Sequence, residues 1–291
     1  MAETSPFHVL VERAGEAAPL DAVAKPLAKS VRSALSPGAV KDALSGRWLG
    51  HAVHPLLTDL VIGTWTSALV LDLLGGRDGA AAAERLIAVG AATYPVTAVT
   101  GVTDWADAEP ADERVRRIGV IHAGTNAAAL ALQLVSLRAR RRGRRGAGVA
   151  LSLAGNGLLT AGGYLGAHLS YVHGVGVDQT TFDPGPEDWT PALPADELPE
   201  GEPMAVTVGD TPVMLVRAGG RVRALHDRCS HRGCSLASGT LHRETIECAC
   251  HGSVFALEDG AIERGPATAP QPAFDVREQD GRLEVRLRRQ S

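Results

Sequence analysis

Outside residues 229–250 the 291-residue chain contains no cysteine. That leaves no thiolate for a second site, so all cysteine chemistry falls in one short window. A dominant charge is also missing, since 29 Lys and Arg oppose 33 Asp and Glu. Such a balance gives no electrostatic footprint for nucleic acid, which is excluded as an expected partner. The first 46 residues hold no apolar stretch of the kind found in a cleavable signal, so none is predicted.

Long apolar runs, by contrast, are plentiful. Mean hydropathy near zero (+0.01) conceals a sharp division between an apolar middle and an ordinary polar C-terminal third. Residues 86–103, 118–137 and 146–177 contain no Asp, Glu, Lys or Arg. Residues 55–74 form a fourth run that carries Asp59 and Asp72. About 18 or more apolar residues suffice to cross a bilayer as a helix. The expected membrane domain is an all-α four-helix transmembrane bundle over 48–177, with spans at about 55–74, 86–103, 118–137 and 148–169. Gly155, Gly157, Gly162 and Gly166 give the last span a small-residue face for close packing. Before the bundle, residues 1–47 form a separate segment. Leu20, Val23, Leu27, Val31 and Leu35 fall at helical spacing there, interrupted by Pro26. Lys25, Lys29 and Arg32 would suit an anionic lipid surface, and packing against the bundle is the plainer alternative.

In an up-down bundle the starts of spans one and three share a face with the ends of spans two and four. His51, His54, Asp59, Asp104, His122, His168 and His173 are therefore expected at one membrane boundary. Ionisable groups in a membrane are costly and commonly functional. His54, Asp59, His122 and His168 are candidates for axial ligation of haem b or for a quinone head group. Interfacial packing is the plainer reading, with His54 and His122 bonded to backbone and to Asn126.

The C-terminal third carries the most specific signal. Cys229-Ser-His231 and Cys248-Ala-Cys250-His251 each offer a thiolate and an imidazole. Two thiolates on one iron and two imidazoles on the other are what a Rieske 2Fe–2S centre needs. Zinc also takes two Cys and two His, but at a different spacing and usually beside a helix. Runs at 204–208, 212–217, 221–225, 253–257 and 283–287 read as strands. Gly219-Gly220, Asp259-Gly260 and Asp280-Gly281 supply turns between them. Residues 178–190, with Asp183-Pro184-Gly185-Pro186-Glu187, read as a linker.

Cys229-Ser-His231-Arg-Gly-Cys234 and Cys248-Ala-Cys250-His251-Gly-Ser253 together resemble the Rieske family over about 191–289. The resemblance implies an all-β domain over 191–291 with Cys229 and Cys248 on one iron, and His231 and His251 on the other. It also implies a disulfide between Cys234 and Cys250, as in Rieske proteins of the quinol-oxidising cytochrome bc type. Ser253 matches a hydroxyl that bonds a bridging sulfide, and Pro266 lies in a resemblance to the family's proline loop. The family's Tyr donor falls at Phe255, which implies a lower potential. Gly46-Arg-Trp48-Leu-Gly50-His51, Val120-Ile-His122 and Gly163-Tyr-Leu-Gly-Ala-His168 carry a resemblance, over about Gly46–Val177, to a bacterial four-helix membrane domain of unknown function that is found fused to C-terminal Rieske domains.

The expected protein is a membrane-anchored one-electron carrier, with a quinol or a bundle haem as donor and a redox protein as acceptor. The alternatives are a ferredoxin-like donor to a partner oxygenase or reductase, or a redox sensor; the sequence identifies no catalytic site beyond the electron-transfer centre. Arg138, Arg140, Arg141, Arg142, Arg144 and Arg145 between spans three and four favour a cytoplasmic loop there, and so an outward-facing Rieske domain in a bacterial cell membrane. The opposite, cytoplasmic orientation is the alternative.

Overall fold

The structure, a computed structural model, describes residues 5–288. Its helices are α1 (Pro6–Gly15), α2 (Asp21–Ala34), α3 (Ala39–Ser45), α4 (Val53–Leu74), α5 (Ala80–Ala108), α6 (Glu113–Arg141) and α7 (Arg145–Tyr171). The chain divides into two compact units. One comprises residues 1–34 and 53–175, and the other residues 35–52 and 176–291.

In the first unit, α4–α7 form the bundle. α4, α5 and α6 are long and apolar enough to cross a membrane. α7 is as long, but its glycines and Asn156 dilute its hydropathy. The bundle is apolar outside, and its interior mixes apolar clusters around Trp65 and Ile87 with polar side chains. Leu60, Ile62, Val89, Val96, Leu134 and Leu153 are exposed, whereas Gln133, Ser136 and Ser152 are fully buried. With lipid as the outer solvent no hydrophobic force drives helices together, so small residues and polar side chains must do it.

The seam is orderly. An added Cβ at Gly162 would lie 2.4 Å from Asn126, one at Gly155 3.1 Å from Gln133, and one at Gly148 2.6 Å from Arg140. Each of these three α7 glycines thus seats an α6 side chain, whereas Gly157 faces open space. The hairpin α4–α5 uses the same scheme: Trp65 lies on Gly90 and His54 on Gly101. His54, Trp65 and Asp72 precede His122, Gln133 and Arg140 at one constant spacing. Gly90 and Gly101 precede Gly155 and Gly166 at another. The two hairpins are therefore two copies of one packing scheme. At one end the equivalent residues Asp72 and Arg140 pair, Arg140 Nη1 donating to Asp72 Oδ1 at 2.8 Å. Both side chains are buried.

The segment before the bundle is split between the units. α1 and α2 belong with the bundle, where Ala24 and Ala28 are buried and Asp21 accepts from Arg117 at 2.9 and 2.8 Å. Pro26 is accommodated inside α2. It removes one N–H, the cost of which falls near the start of the helix. α3 instead belongs to the second unit, so residues 1–47 are not one element.

The second unit is built of β1 (Thr190–Pro194), β2 (Met204–Val208), β3 (Thr211–Ala218), β4 (Arg221–His226), β5 (Thr240–His242), β6 (Thr245–Glu247), β7 (Val254–Ala256), β8 (Ile262–Arg264), β9 (Ala273–Gln279) and β10 (Arg282–Leu287). A six-stranded antiparallel sheet runs β1-β10-β9-β4-β3-β2, and a four-stranded one runs β5-β6-β7-β8. Successive β3 residues face opposite ways, as a strand requires. Met214 and Val216 join a core with Phe255 and Leu257, while Val213 and Leu215 join another with Phe274 and Val285. The stretch 178–190, expected as a free linker, is docked on this unit. Gln179 N–H donates to Ser230 at 3.0 Å, Leu287 N–H to Pro186 at 2.7 Å, and Thr211 Oγ1 to Asp183 at 2.6 Å. Backbone polar groups that lie against a domain must be satisfied, and the first two of these bonds do so.

Candidate metal centre

Two loops carry the four candidate ligands. One follows β4, and the other joins β6 to β7. Their backbones repeat one turn. Cys229 N–H donates to the Cys234 carbonyl and Cys248 N–H to that of Ser253, both at 2.8 Å. Gly233 N–H closes on Cys229 at 2.8 Å, and Gly252 N–H on Cys248 at 3.0 Å. Gly233 and Gly252 have φ of 76° and 77°, in the left-handed region where glycine carries no Cβ penalty. Both Cys-led hexapeptides therefore need glycine at their fifth residue.

The donors meet in two pairs. Cys229 and Cys248 are buried and hydrogen-bonded to each other, which holds a proton on Cys229 and pushes Cys248 down to about 7. The rings of His231 and His251 stand edge to face, 5.1 Å between centroids. Burial holds the His231 imidazole well below the ordinary histidine range, aided by the charges of His251, Lys41 and Arg232. A neutral imidazole is the form that binds a metal. Cys234 and Cys250 form a disulfide that links the two loops, with 6.5 Å between Cα atoms. Ser253 is buried and its Oγ accepts from Ala267 N–H at 3.0 Å, in the loop that contains Pro266. Two thiols and two imidazoles suit an iron–sulfur cluster of Rieske type.

Several supporting residues carry no signal in the sequence. Asp227 Oδ1 accepts from Ala237 N–H at 2.8 Å and from Ser235 Oγ at 3.0 Å. Gln271, fully buried, donates to the carbonyls of His226 and Arg228 and accepts from Ser230 N–H. Together they pin the first loop at both ends. Arg264 donates to the Gly252 carbonyl at 3.0 and 2.9 Å and pins the second. The segment 35–52 lies against the same loops. A Cβ on Gly252 would meet Pro37 at 3.0 Å, and one on Gly265 would meet Asp42 at 2.9 Å. Arg47 donates to the Ile262 carbonyl at 2.8 Å, and Lys41 is 5 % exposed.

The bundle candidates separate. His54 and His122 meet, 6.5 Å between ring centroids. His54 Nδ1 donates to the Thr97 carbonyl at 2.9 Å, and His122 Nδ1 to that of Gly162 at 2.8 Å. His168 turns instead to Glu12, Nε2 donating to Oε1 at 2.7 Å, and Asp59 is exposed on α4. The expected four-residue site is therefore not assembled. His168 lies two residues past Gly166, on another side of α7 from the glycine that seats His122.

Comparison with known proteins places these units. Residues 188–275 match the Rieske [2Fe-2S] domain, and residues 50–179 match a predicted membrane protein family, DUF2231. The anthranilate 1,2-dioxygenase ferredoxin subunit of Burkholderia cepacia is 33% identical over 100 residues, 34% of this chain and 93% of that protein. The 3-phenylpropionate/cinnamic acid dioxygenase ferredoxin subunit of Escherichia coli (strain K12) is 36% identical over 98 residues, 33% of this chain and 91% of that protein. Among solved structures, the ferredoxin of carbazole 1,9a-dioxygenase from Nocardioides aromaticivorans IC177 is 33% identical. It covers 34% of this chain and 96% of its own, with a TM-score of 0.32. A Rieske domain supports a 2Fe–2S cluster and electron transfer. Through its C-terminal unit, carried behind a DUF2231 membrane domain, the chain belongs to the Rieske [2Fe-2S] family.

Proposed function

We propose that the protein is a membrane-anchored one-electron carrier, with Cys229 and Cys248 on one iron of the cluster and His231 and His251 on the other. The observation that supports it is the pairing of the two thiols and of the two imidazoles across two loops of matched turn geometry. The cluster, when bound, supplies the one-electron chemistry. The protein's residues hold it, exclude water and set its potential. Burial of Cys229, Cys248 and Ser253 keeps solvent from the sulfur side. The Cys234–Cys250 bond fixes one loop to the other. EPR of anaerobically purified, dithionite-reduced full-length protein tests the reading. A rhombic Rieske signal is expected, and it should vanish in Cys229→Ser and His251→Ala. Zinc in place of iron and inorganic sulfide would overturn it.

The partner is read as a redox protein, because relatives covered over nine-tenths of their length are named as ferredoxin subunits of dioxygenases. The disulfide, on the resemblance to the quinol-oxidising type, favours quinol as a second reading of the donor. Cluster reduction by a short-chain quinol in detergent would establish the second, and reduction only by a flavin reductase the first. His54 and His122 enter as packing, each satisfied by a carbonyl. A Soret band lost in His54→Ala would instead make them haem ligands. The outward orientation rests on the arginine run and on the oxidising side that a disulfide needs. Protease protection of the C-terminal unit in inverted vesicles tests it.

A further inference from the structure

The first unit gathers a set of donors that the electron-transfer reading does not use. Glu12 on α1, His168 near the end of α7 and His173 just beyond it each offer one ligand atom, all within 4.8 Å of one another. His168 Nε2 lies 2.7 Å and His173 Nε2 3.2 Å from the same carboxylate oxygen, Glu12 Oε1. Bonds of about 2.0–2.2 Å in a tetrahedral arrangement put neighbouring donors ~3.3 Å apart, so this spacing is close to what one ion needs.

His173 carries the argument. Its side chain is 9% exposed, and its Nε2 has no hydrogen-bond partner despite the nearby oxygen. Its other nitrogen, Nδ1, faces Asp112 Oδ2 at 3.4 Å. Asp112 is itself fixed as the N-cap of α6, with Oδ1 accepting from Arg114 N–H at 2.7 Å. Nε2 is thus a buried, unpartnered nitrogen 3.2 Å from the carboxylate oxygen that His168 also reaches. A cation held among the three ligand atoms would give that nitrogen the partner it lacks. The second oxygen of Glu12 is held by Arg114 at 3.0 Å, which orients the carboxylate. Carboxylate behind histidine and a donor behind the ligating carboxylate are the outer contacts that metal sites use.

We propose that Glu12, His168 and His173 bind one divalent first-row transition-metal ion, with Asp112 and Arg114 as positioning residues. Two imidazoles and a carboxylate form a donor set suited to zinc, iron or cobalt, with a position left open. The proton that now joins His168 to Glu12 is the one the metal displaces. The site stands apart from Cys229 and its partners in sequence and chemistry, so its failure leaves the cluster reading intact.

The test uses full-length, cluster-loaded protein in detergent, stripped with a mild chelator and titrated with zinc or with cobalt as a spectroscopic probe. One zinc per chain beyond the cluster iron is expected, with cobalt giving visible bands of an imidazole-bound ion. Glu12→Gln and His173→Ala should each lose the ion, and Asp112→Asn should weaken it by roughly 10–100-fold. The Rieske EPR signal should persist in all three. Zinc should also raise the melting temperature of the unmutated protein, a readout independent of whether the variants fold. No stoichiometric binding by the unmutated protein, or binding unchanged in His173→Ala, would mean that a proton is the only cation there.

Discussion

Ser253→Ala separates the two jobs assigned to one hydroxyl. Ser253 Oγ accepts from Ala267 N–H at 3.0 Å, and both residues are fully buried, so no water can replace the bond. The orphaned N–H should cost about 1–3 kcal/mol of stability. The same hydroxyl keeps its proton to donate, and by the family resemblance it donates toward a bridging sulfide. A donor to a centre that gains negative charge on reduction stabilises the reduced form more. If the difference is about 1 kcal/mol, a typical hydrogen-bond increment, the one-electron potential should fall by about 40 mV. Denaturant unfolding reads the first effect and a potentiometric EPR titration the second. Phe255→Tyr, which restores the family's missing donor in a buried strand position, should move the potential upward. An unchanged potential in Ser253→Ala, alongside the stability loss, would reduce Ser253 to a loop brace and refute the tuning argument.

Asp72→Asn leaves Arg140 buried without its counter-charge and should destabilise the bundle by ~3–5 kcal/mol. Asp72→Leu with Arg140→Met should recover most of that, as read by thermal unfolding in detergent; a single-variant cost below ~1 kcal/mol would sink the pairing. Gly90→Ala would place a Cβ 2.3 Å from the Trp65 indole nitrogen and should cost ~1–3 kcal/mol, whereas Gly157→Ala meets nothing within 4 Å and should be neutral or slightly stabilising. Asp21 is held well below the usual carboxylate range, chiefly by its hydrogen bond from Arg117. A depressed folded-state pKa contributes stability above the unfolded value of ~3.9, lost as pH falls through the folded one. α2 should therefore stay protected from hydrogen exchange at pH 4–8 and loosen only in stronger acid. Loosening that begins near pH 6 would contradict this.

The sequence carried what periodicity and punctuation can carry. Runs without charge gave the long helices, because a membrane helix satisfies its own backbone and needs only apolar length. Gly219, Gly260 and Gly281 marked turns, and each has positive φ. Five strands were legible and five were not. β5, β6 and β8 are three residues long, too short to show alternation, and β9 hides its pattern among Asp275, Arg277 and Glu278. Gln271 sits between two prolines in a stretch that reads as loop, yet its amide braces the first loop. The constant spacing between the α4–α5 and α6–α7 contacts is visible in the chain once His54 and His122 are aligned. It stayed hidden because the matched partners differ in type, Trp65 against Gln133 and Asp72 against Arg140.

The assignment of residues 35–52 to the second unit changes what holds the protein together. A Rieske domain joined only through residues 176–190 would be released by one cut there. Here the segment between α2 and α4 also belongs to that unit, through Arg47 on Ile262, Pro37 on Gly252 and Asp42 beside Gly265. A protease site inserted after Gly176 should therefore yield two fragments that still co-elute in detergent. The contact includes the buried Lys41, whose charge reaches His231. The isolated fragment 176–291 lacks that cation, so its cluster should show a lower potential than the full chain, since positive charge favours the reduced form. Replacing 35–52 with a Gly/Ser linker of equal length should reproduce both losses, separation after cleavage and the lower potential. Co-elution that survives the replacement, with an unchanged potential, would show that α3 is a passenger on the domain that it touches.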